Sequence, residues 1–278
     1  MKIAIQGIKG SFHHIVALQY FGENVETVEC MSFTEIPVLL NKGSVDAAVM
    51  AIENSLAGSI LPNYALIDEY NLAIEGEVHL PIHHNLMGLE GQTLNDIKEV
   101  WSHPMALLQC RNFFRNHPNI KLVEETDTAE VAQRIQQQQL KGIAAIASKK
   151  AAEIFNLNII ESEIQTRKQN YTRFFILKKR NGSLPNGGVR NKASLKFITH
   201  HQTGSLAEVL NVFAGFKMNL SKIQSLPIID QPWNYAFFAD VIFDDYEHYQ
   251  KAMGHISEKT SSLKILGEYK QSKRTHDS

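Results

Sequence analysis

Along the first ~180 residues, short apolar and β-branched runs alternate with amphipathic segments, and this alternation restricts the chain to an α/β fold. The strand candidates are Lys2 to Gln6, Val25 to Cys30, Asp46 to Ile52, Val100 to Trp101, Ile120 to Val123, Ile143 to Ala147 and Arg173 to Lys178. Ser32 with Glu35, and Asp127 with Glu130, have the spacing of capping boxes. Pro104 suits a first helical turn. The stretch RNGSLPNGGVRNK, residues 180 to 192, then breaks the pattern with the composition of a linker.

The pattern that follows is short and complete. Ala193 to His200 reads as a strand and Gly204 to Phe216 as a helix. Asn219 to Pro227 and Asn234 to Phe243 read as strands around an Asp-Gln-Pro turn at 230 to 232. A helix from Asp245 to about Lys259 and a strand from Ser262 to Tyr269 complete a ferredoxin-like βαββαβ unit, with a frayed tail from Gln271. The sequence thus divides into an α/β domain at 1–180, a linker at 181–192 and a second domain at 193–278.

Composition narrows the function. The 28 basic and 29 acidic residues leave a net charge of -1, so no overall field favours nucleic acid or an anionic membrane. Cys30 and Cys110 form no CxxC pair, which argues against a disulfide scaffold or a cysteine zinc site and fits a reducing cytoplasm. No run approaches the ~20 apolar residues that span a bilayer, and the N-terminus carries no signal-peptide pattern.

Polar clusters sit where strands end. GIKGSFHH, residues 7 to 14, is either an ordinary βα turn or a helix start whose free N–H groups hold an anion. Glu53-Asn54-Ser55 follows a strand, where side chains face the ligand crevice of an open α/β sheet; a self-bonded turn is the alternative. Ser102-His103 precedes a helix, and Ser102 is equally a good cap. Gln109, two turns on, can share its face. Thr172-Arg173-Phe174 opens an apolar run, as a strand start with an edge charge or as a third cluster at the same crevice. The doubled histidines at 13–14, 83–84 and 200–201 lack ligand spacing for a metal, and no GxSxG marks a serine hydrolase.

Taken in order, Glu53-Asn54-Ser55, Ser102-His103-Pro104 with Gln109-Cys110-Arg111, and Asn170-Tyr171-Thr172-Arg173-Phe174 resemble the motifs of the prephenate dehydratases. The run from Ile143 to Ser148, with Ala151-Ala152, also resembles that family, and the second domain resembles its ACT regulatory domain. The resemblance implies a catalytic domain of two α/β lobes, like type II periplasmic binding proteins, with the site in the cleft between them. It implies a lyase that converts prephenate to phenylpyruvate, carbon dioxide and water on the way to phenylalanine, without a cofactor or metal. No N-terminal segment has the length of a fused chorismate mutase, so the implied enzyme is monofunctional and cytoplasmic. An arogenate dehydratase is the close variant, and a non-catalytic amino-acid-sensing binder the distant one.

The same resemblance carries Thr172 over as the catalytic hydroxyl and Ser11, Glu53, Asn54, Ser55, Ser102, Gln109, Asn170, Arg173 and Phe174 as substrate-binding positions. Arg173 would anchor the pyruvyl carboxylate or serve the structure. Where the family reads like GPxGTFS this chain has GIKGSFH, in which Ser11 can supply the hydroxyl. A phenylalanine effector site between the ACT domains of a homodimer or homotetramer is implied at Gly204, Ser205, Leu206, Asn219, Leu220, Gln224 and Ser225. The family's Glu-Ser-Arg-Pro is here Gln224-Ser225-Leu226-Pro227, and the loss of both charges puts the strength of feedback inhibition in question.

Overall fold

The computed structural model describes residues 1–180, 188–228 and 234–272. The Asp-Gln-Pro turn, the tail beyond residue 272 and linker residues 181–187 lie outside them. By contact the chain forms two compact units, Met1–Ile60 with His79–Phe174, and Leu61–Val78 with Phe175–Ser278.

The elements run β1 (Lys2–Gln6), α1 (Phe12–Phe21), β2 (Glu26–Cys30), α2 (Glu35–Lys42), β3 (Ala47–Asn54), β4 (Gly58–Ser59), α3 (Leu61–Glu69), β5 (Leu72–Pro81) and β6 (Asn85–Gly88). Then follow β7 (Glu99–Ser102), α4 (Pro104–Gln109), α5 (Arg111–Arg115), β8 (Lys121–Glu124), α6 (Thr128–Gln138), β9 (Ile143–Ala147), α7 (Lys149–Phe155), β10 (Asn158–Glu161) and β11 (Tyr171–Lys179). One lobe is built on the sheet β2-β1-β3-β11-β5, with β4 beside β3, and the other on β10-β6-β9-β7-β8. β1 is parallel to β2 and β3, and β7 to β8 and β9, so strand ends and helix starts gather on one side of each sheet. This is the expected two-lobed architecture.

Burial explains the runs. Ile3, Ala4, Ile5 and Ala47 to Met50 have no exposed surface, as strands covered on both faces require. In the second lobe α6 and α7 cover one face through Val131, Ala132, Ile135 and Ala151, while α4 and α5 cover the other through Leu107, Cys110 and Phe114.

The second unit contains β12 (Lys192–Thr199), α8 (Ser205–Gly215), β13 (Asn219–Pro227), β14 (Tyr235–Ile242), α9 (Tyr246–Lys259) and β15 (Thr260–Tyr269). These form the expected βαββαβ unit, an antiparallel sheet in the order β13-β14-β12-β15. Phe197, Val209, Phe213, Tyr249 and Ile256 fill its core.

The same unit takes in α3 and most of β5 from the early chain. Lys192 Nζ lies 2.9 Å from both oxygens of Glu77, and both side chains are buried. Lys196 and Lys264 hold Asp68. Arg180 donates to the carbonyls of Leu72, Ile265 and Leu266. Gly267 lies against Ile74 so closely that a Cβ would fall 2.1 Å from the Ile74 carbonyl oxygen.

The capping boxes form only by halves. Glu35 accepts from the Ser32 N–H at 3.0 Å, but Thr34 is the cap residue of α2 and the Ser32 hydroxyl turns to the Glu35 carboxylate. Asp127 accepts from the N–H groups of Ala129 and Glu130, while Glu130 turns to the Thr126 hydroxyl. Pro104 does open α4, capped by the His103 ring rather than by Ser102.

Candidate active site

A cavity of about 430 Å³ opens between the two lobes of the first unit. Ser11, Asn54, Gln109, Thr172 and Phe174 line it. Strand alternation places Thr172 and Phe174 on its wall together, two residues apart on β11. Apolar groups from Phe12, Phe33, Ile60, Ile82 and Met105 make up much of the rest, and among the described residues no lysine or arginine lines it.

A hydrogen-bonded chain orients the Thr172 hydroxyl, and backbone donors set its polarity. The N–H groups of Leu56 and Ala57 donate to Asn54 Oδ1 at 3.0 and 2.9 Å, so Asn54 turns its Nδ2 the other way. That nitrogen donates its two protons among Asn170 Oδ1 at 2.8 Å, Thr172 Oγ1 at 3.0 Å and the Tyr171 carbonyl at 3.2 Å. Asn170 Nδ2 then donates to Gln109 Oε1 at 2.9 Å, and this oxygen also takes the Nε2 proton of His84 at 2.8 Å. Two consequences follow. Thr172, on the cavity wall, accepts from the protein and retains a proton to donate. Gln109 presents its amide nitrogen as a second donor. Burial, opposed by the bond to Gln109, lowers the pKa of His84, and the ring stays neutral.

Other assigned positions support the wall from behind. Ser102 is fully buried and donates to the Ile146 carbonyl at 2.8 Å, and His103 takes the cap position expected of Ser102. Gln109 ends α4 rather than sharing its start. Arg173 points away from Thr172, is 6% exposed and lies 3.9 Å from Glu53, so neither lines the cavity. Ser55 exchanges bonds with Tyr171, its N–H to that carbonyl at 2.8 Å and its hydroxyl oxygen accepting at 3.0 Å. Asn170 is fully buried and acts through Asn54 and Gln109.

The glycine turn has a packing reason. Gly7 and Gly10 hold φ of 81° and 91°, where side chains are strained. A Cβ on Gly7 would lie 2.7 Å from Asp127 Oδ2, and one on Gly10 2.9 Å from the Ala151 Cα. Ser148 Oγ donates to the Gly10 carbonyl at 2.6 Å. The lobes therefore meet backbone to backbone beside the cavity. Ser11 caps α1 by accepting from the His14 N–H at 3.2 Å.

His13, His84, His103, Asp127 and Thr128 also line the cavity and were absent from the assigned set. Among the described residues no cluster of His, Cys, Asp or Glu suited to a metal occurs. The alternating directions of the doubled histidines are used instead to accept backbone N–H groups: His13 Nε2 from Ala51 at 3.2 Å, His14 Nδ1 from Gly10 at 3.2 Å. Asp127 was visible as a helix cap, and its burial raises its pKa.

The ACT-like positions fall in two places. Gly204, at φ 87°, leads into α8, where the Ser205 hydroxyl donates to the Gln202 carbonyl at 3.0 Å. Asn219, Leu220, Gln224 and Ser225 lie on β13, at one end of the sheet. Leu206 and Leu220 pack on the core, and Gln224 Nε2 donates to the Ser225 carbonyl at 3.1 Å.

The chain thus contains a two-lobed α/β domain with the Thr172 hydroxyl on its cleft wall and a βαββαβ unit. The chain belongs to the prephenate dehydratase family, whose model matches residues 3–182. It is 38% identical over 284 residues to arogenate dehydratase/prephenate dehydratase 1, chloroplastic, of Arabidopsis thaliana, covering 97% of this chain and 72% of that one. A prephenate dehydratase from Arthrobacter aurescens, solved in complex with L-Phe, superposes with a TM-score of 0.85 at 25% identity, covering 97% and 89% of the two chains. GqqA, described as a novel type of quorum quenching acylase, superposes with a TM-score of 0.88 at 29% identity, covering 98% of each. Among the described residues no helix is long and apolar enough to cross a membrane.

Proposed function

We infer that the chain converts prephenate to phenylpyruvate, carbon dioxide and water, with Thr172 as the catalytic residue. The observation that carries this reading is the bond from Asn54 Nδ2 to Thr172 Oγ1 at 3.0 Å, in which the hydroxyl oxygen accepts and its own proton stays available to donate. The electron pair of the bond to the ring carboxylate moves into the ring as that bond breaks. The ring C–O bond breaks in turn, and the departing hydroxide takes a proton that solvent ultimately supplies. An alcohol is too weak an acid to ionise outright, so Thr172 acts as a positioned hydrogen-bond donor to the leaving oxygen. The apolar wall of Phe33, Met105 and Phe174 leaves the ring carboxylate poorly solvated and supports its loss. Gln109 and Ser11 contact the substrate, while Asn54 and Asn170 orient Thr172. Glu53, Ser55, Ser102 and Arg173 serve as the scaffold of that wall.

The catalytic domain is 1–180, the linker 181–192 and the ACT domain 193–278, with Leu61–Val78 folding together with the latter. The L-Phe complex of the Arthrobacter relative supports phenylalanine as effector at the α8 entrance and β13. The free edge of β13 supports a homodimer or homotetramer in which this site lies between subunits. The two buried free cysteines support a reducing cytoplasm.

Purified protein incubated with prephenate forms phenylpyruvate, and Thr172→Ala lowers the rate about 100-fold or more. No product above that variant sinks the reading. Side-by-side kinetics with arogenate decide between the two substrates, and tight prephenate binding without turnover would indicate the non-catalytic binder. The likeness to GqqA favours one further reading, an acylase with Thr172 as nucleophile. A nucleophile needs a base to take its proton, and the side-chain partner of Thr172 is a donor. Release of a free amine from an N-acyl substrate would reverse that preference.

A further inference from the structure

His13 occupies the first turn of α1 on the cavity wall, with its ring edge-on to Phe174 at 5.0 Å and 88° and tilted against Phe33 at 5.5 Å. Its Nε2 accepts the backbone N–H of Ala51 at 3.2 Å. A backbone amide can only donate, so Nε2 carries no proton and the neutral ring holds its single proton on Nδ1. That Nδ1 is paired with nothing among the described residues, yet it is not sealed from solvent. The residue is only 7% exposed and lines the cavity.

We propose that His13 is a substrate-binding residue whose Nδ1–H donates a hydrogen bond into the cavity, to a carboxylate or carbonyl oxygen of the substrate. Burial pushes its pKa down to about 3, so the donor is a neutral imidazole at physiological pH. Protonating Nε2 would also aim an N–H at the N–H of Ala51. Among the described residues no lysine or arginine lines the wall, so neutral donors there are the groups that would hold an anionic substrate. The N–H groups at the start of α1 lack intrahelical acceptors and favour negative charge beside the ring. His13 thus adds a side-chain donor to the end of a helix that already attracts an anion. The proposal rests on the dehydratase reading only in taking the substrate to be an anion with acceptor oxygens.

Two variants separate the contacts of the ring. In His13→Gln the amide oxygen reaches the place of Nε2 and can accept from Ala51, but nothing donates from the place of Nδ1. In His13→Asn the shorter amide supplies a donor near Nδ1 and cannot reach Ala51. Steady-state kinetics with prephenate and urea unfolding are measured for both. His13→Gln should keep the wild-type unfolding midpoint and lose about 10- to 100-fold in kcat/KM, the worth of a hydrogen bond to a charged acceptor. His13→Asn should unfold more easily and keep kcat/KM within about threefold of wild type, since that bond is retained. A His13→Gln enzyme within about twofold of wild type overturns the proposal, because that bond would then count for nothing. Nitrogen-15 NMR of the wild-type imidazole provides a measurement free of folding defects: a proton on Nδ1 supports the assignment, and one on Nε2 overturns it. The tautomer does not depend on turnover, so failure of the dehydratase reading and failure of the His13 assignment are told apart.

Discussion

Replacing Lys192 with methionine tests what fastens β12 to β5. The ammonium lies 2.9 Å from both oxygens of Glu77, with side-chain exposures of 1% and 0%. Two charges so far from water are stable only as a pair. Methionine nearly preserves the volume and removes the ammonium from the buried carboxylate. Such a loss typically costs about 3–5 kcal/mol, a large part of the 5–15 kcal/mol that holds a folded protein together. For a unit of this size that is a fall in melting temperature of roughly 10 °C or more. Urea unfolding followed by circular dichroism gives the magnitude. Hydrogen exchange over residues 72–78 and 192–199 shows whether the loss is local. Replacing both partners, as Glu77→Leu with Lys192→Met, should return most of the stability, because an apolar pair needs no solvation. Lys192→Met within about 1 kcal/mol of wild type would refute the reasoning, as would a double variant as unstable as the two singles combined.

Further outcomes follow from the same geometry. Asn54→Asp turns an acceptor toward Thr172, draws the hydroxyl proton away from the cavity and should lower kcat about 100-fold while KM changes little; an unchanged kcat would contradict the oriented hydroxyl. Gly267→Ala drives a Cβ into the Ile74 carbonyl, 2.1 Å away, and should destabilise the second unit by about 3 kcal/mol or more, read from the urea midpoint. Acid stability should depend on His13, whose folded pKa of about 3 lies below the 6.5 of an unperturbed histidine. Between those values the unfolded chain binds the extra proton, so stability rises with pH across the window and is lost as pH falls through it. The loss approaches roughly 5 kcal/mol near pH 3. A His13→Phe variant should lose less stability than wild type between pH 6.5 and pH 4, measured by urea midpoints at each pH.

Asn54 and Thr172 were legible because they sit in short polar clusters at strand ends, and order along the chain tied Gln109, at the end of α4, and Phe174 to them. Aim was harder to read. Arg173 and Glu53 each neighbour a cavity residue on a strand, and period-two alternation turns them to the opposite face. Ser102 looked like a cap, but its hydroxyl bridges to β9 through Ile146, a partner fixed only by tertiary packing. His13 was hidden because doubled histidines suggest metal first. β5 escaped the strand candidates because Glu75, Glu77 and His79 interrupt its apolar pattern, and the partner that buries Glu77 lies 115 positions away. The βαββαβ unit was clearer, since the exchanges that build it are local and its strands carry regular apolar faces.

The sharing of Leu61–Val78 with the second unit bears on how the protein is made. As the chain leaves the ribosome, Ile74, Glu77 and Asp68 emerge more than a hundred residues before Lys192, Lys196 and Gly267. Through that interval β5 gains β11 as a neighbour but Glu77 and Asp68 still lack their lysines, and this seam is a part of the nascent chain open to chaperones or to wrong pairing. Stopping translation near Arg180 would give not a smaller enzyme but one with this seam exposed.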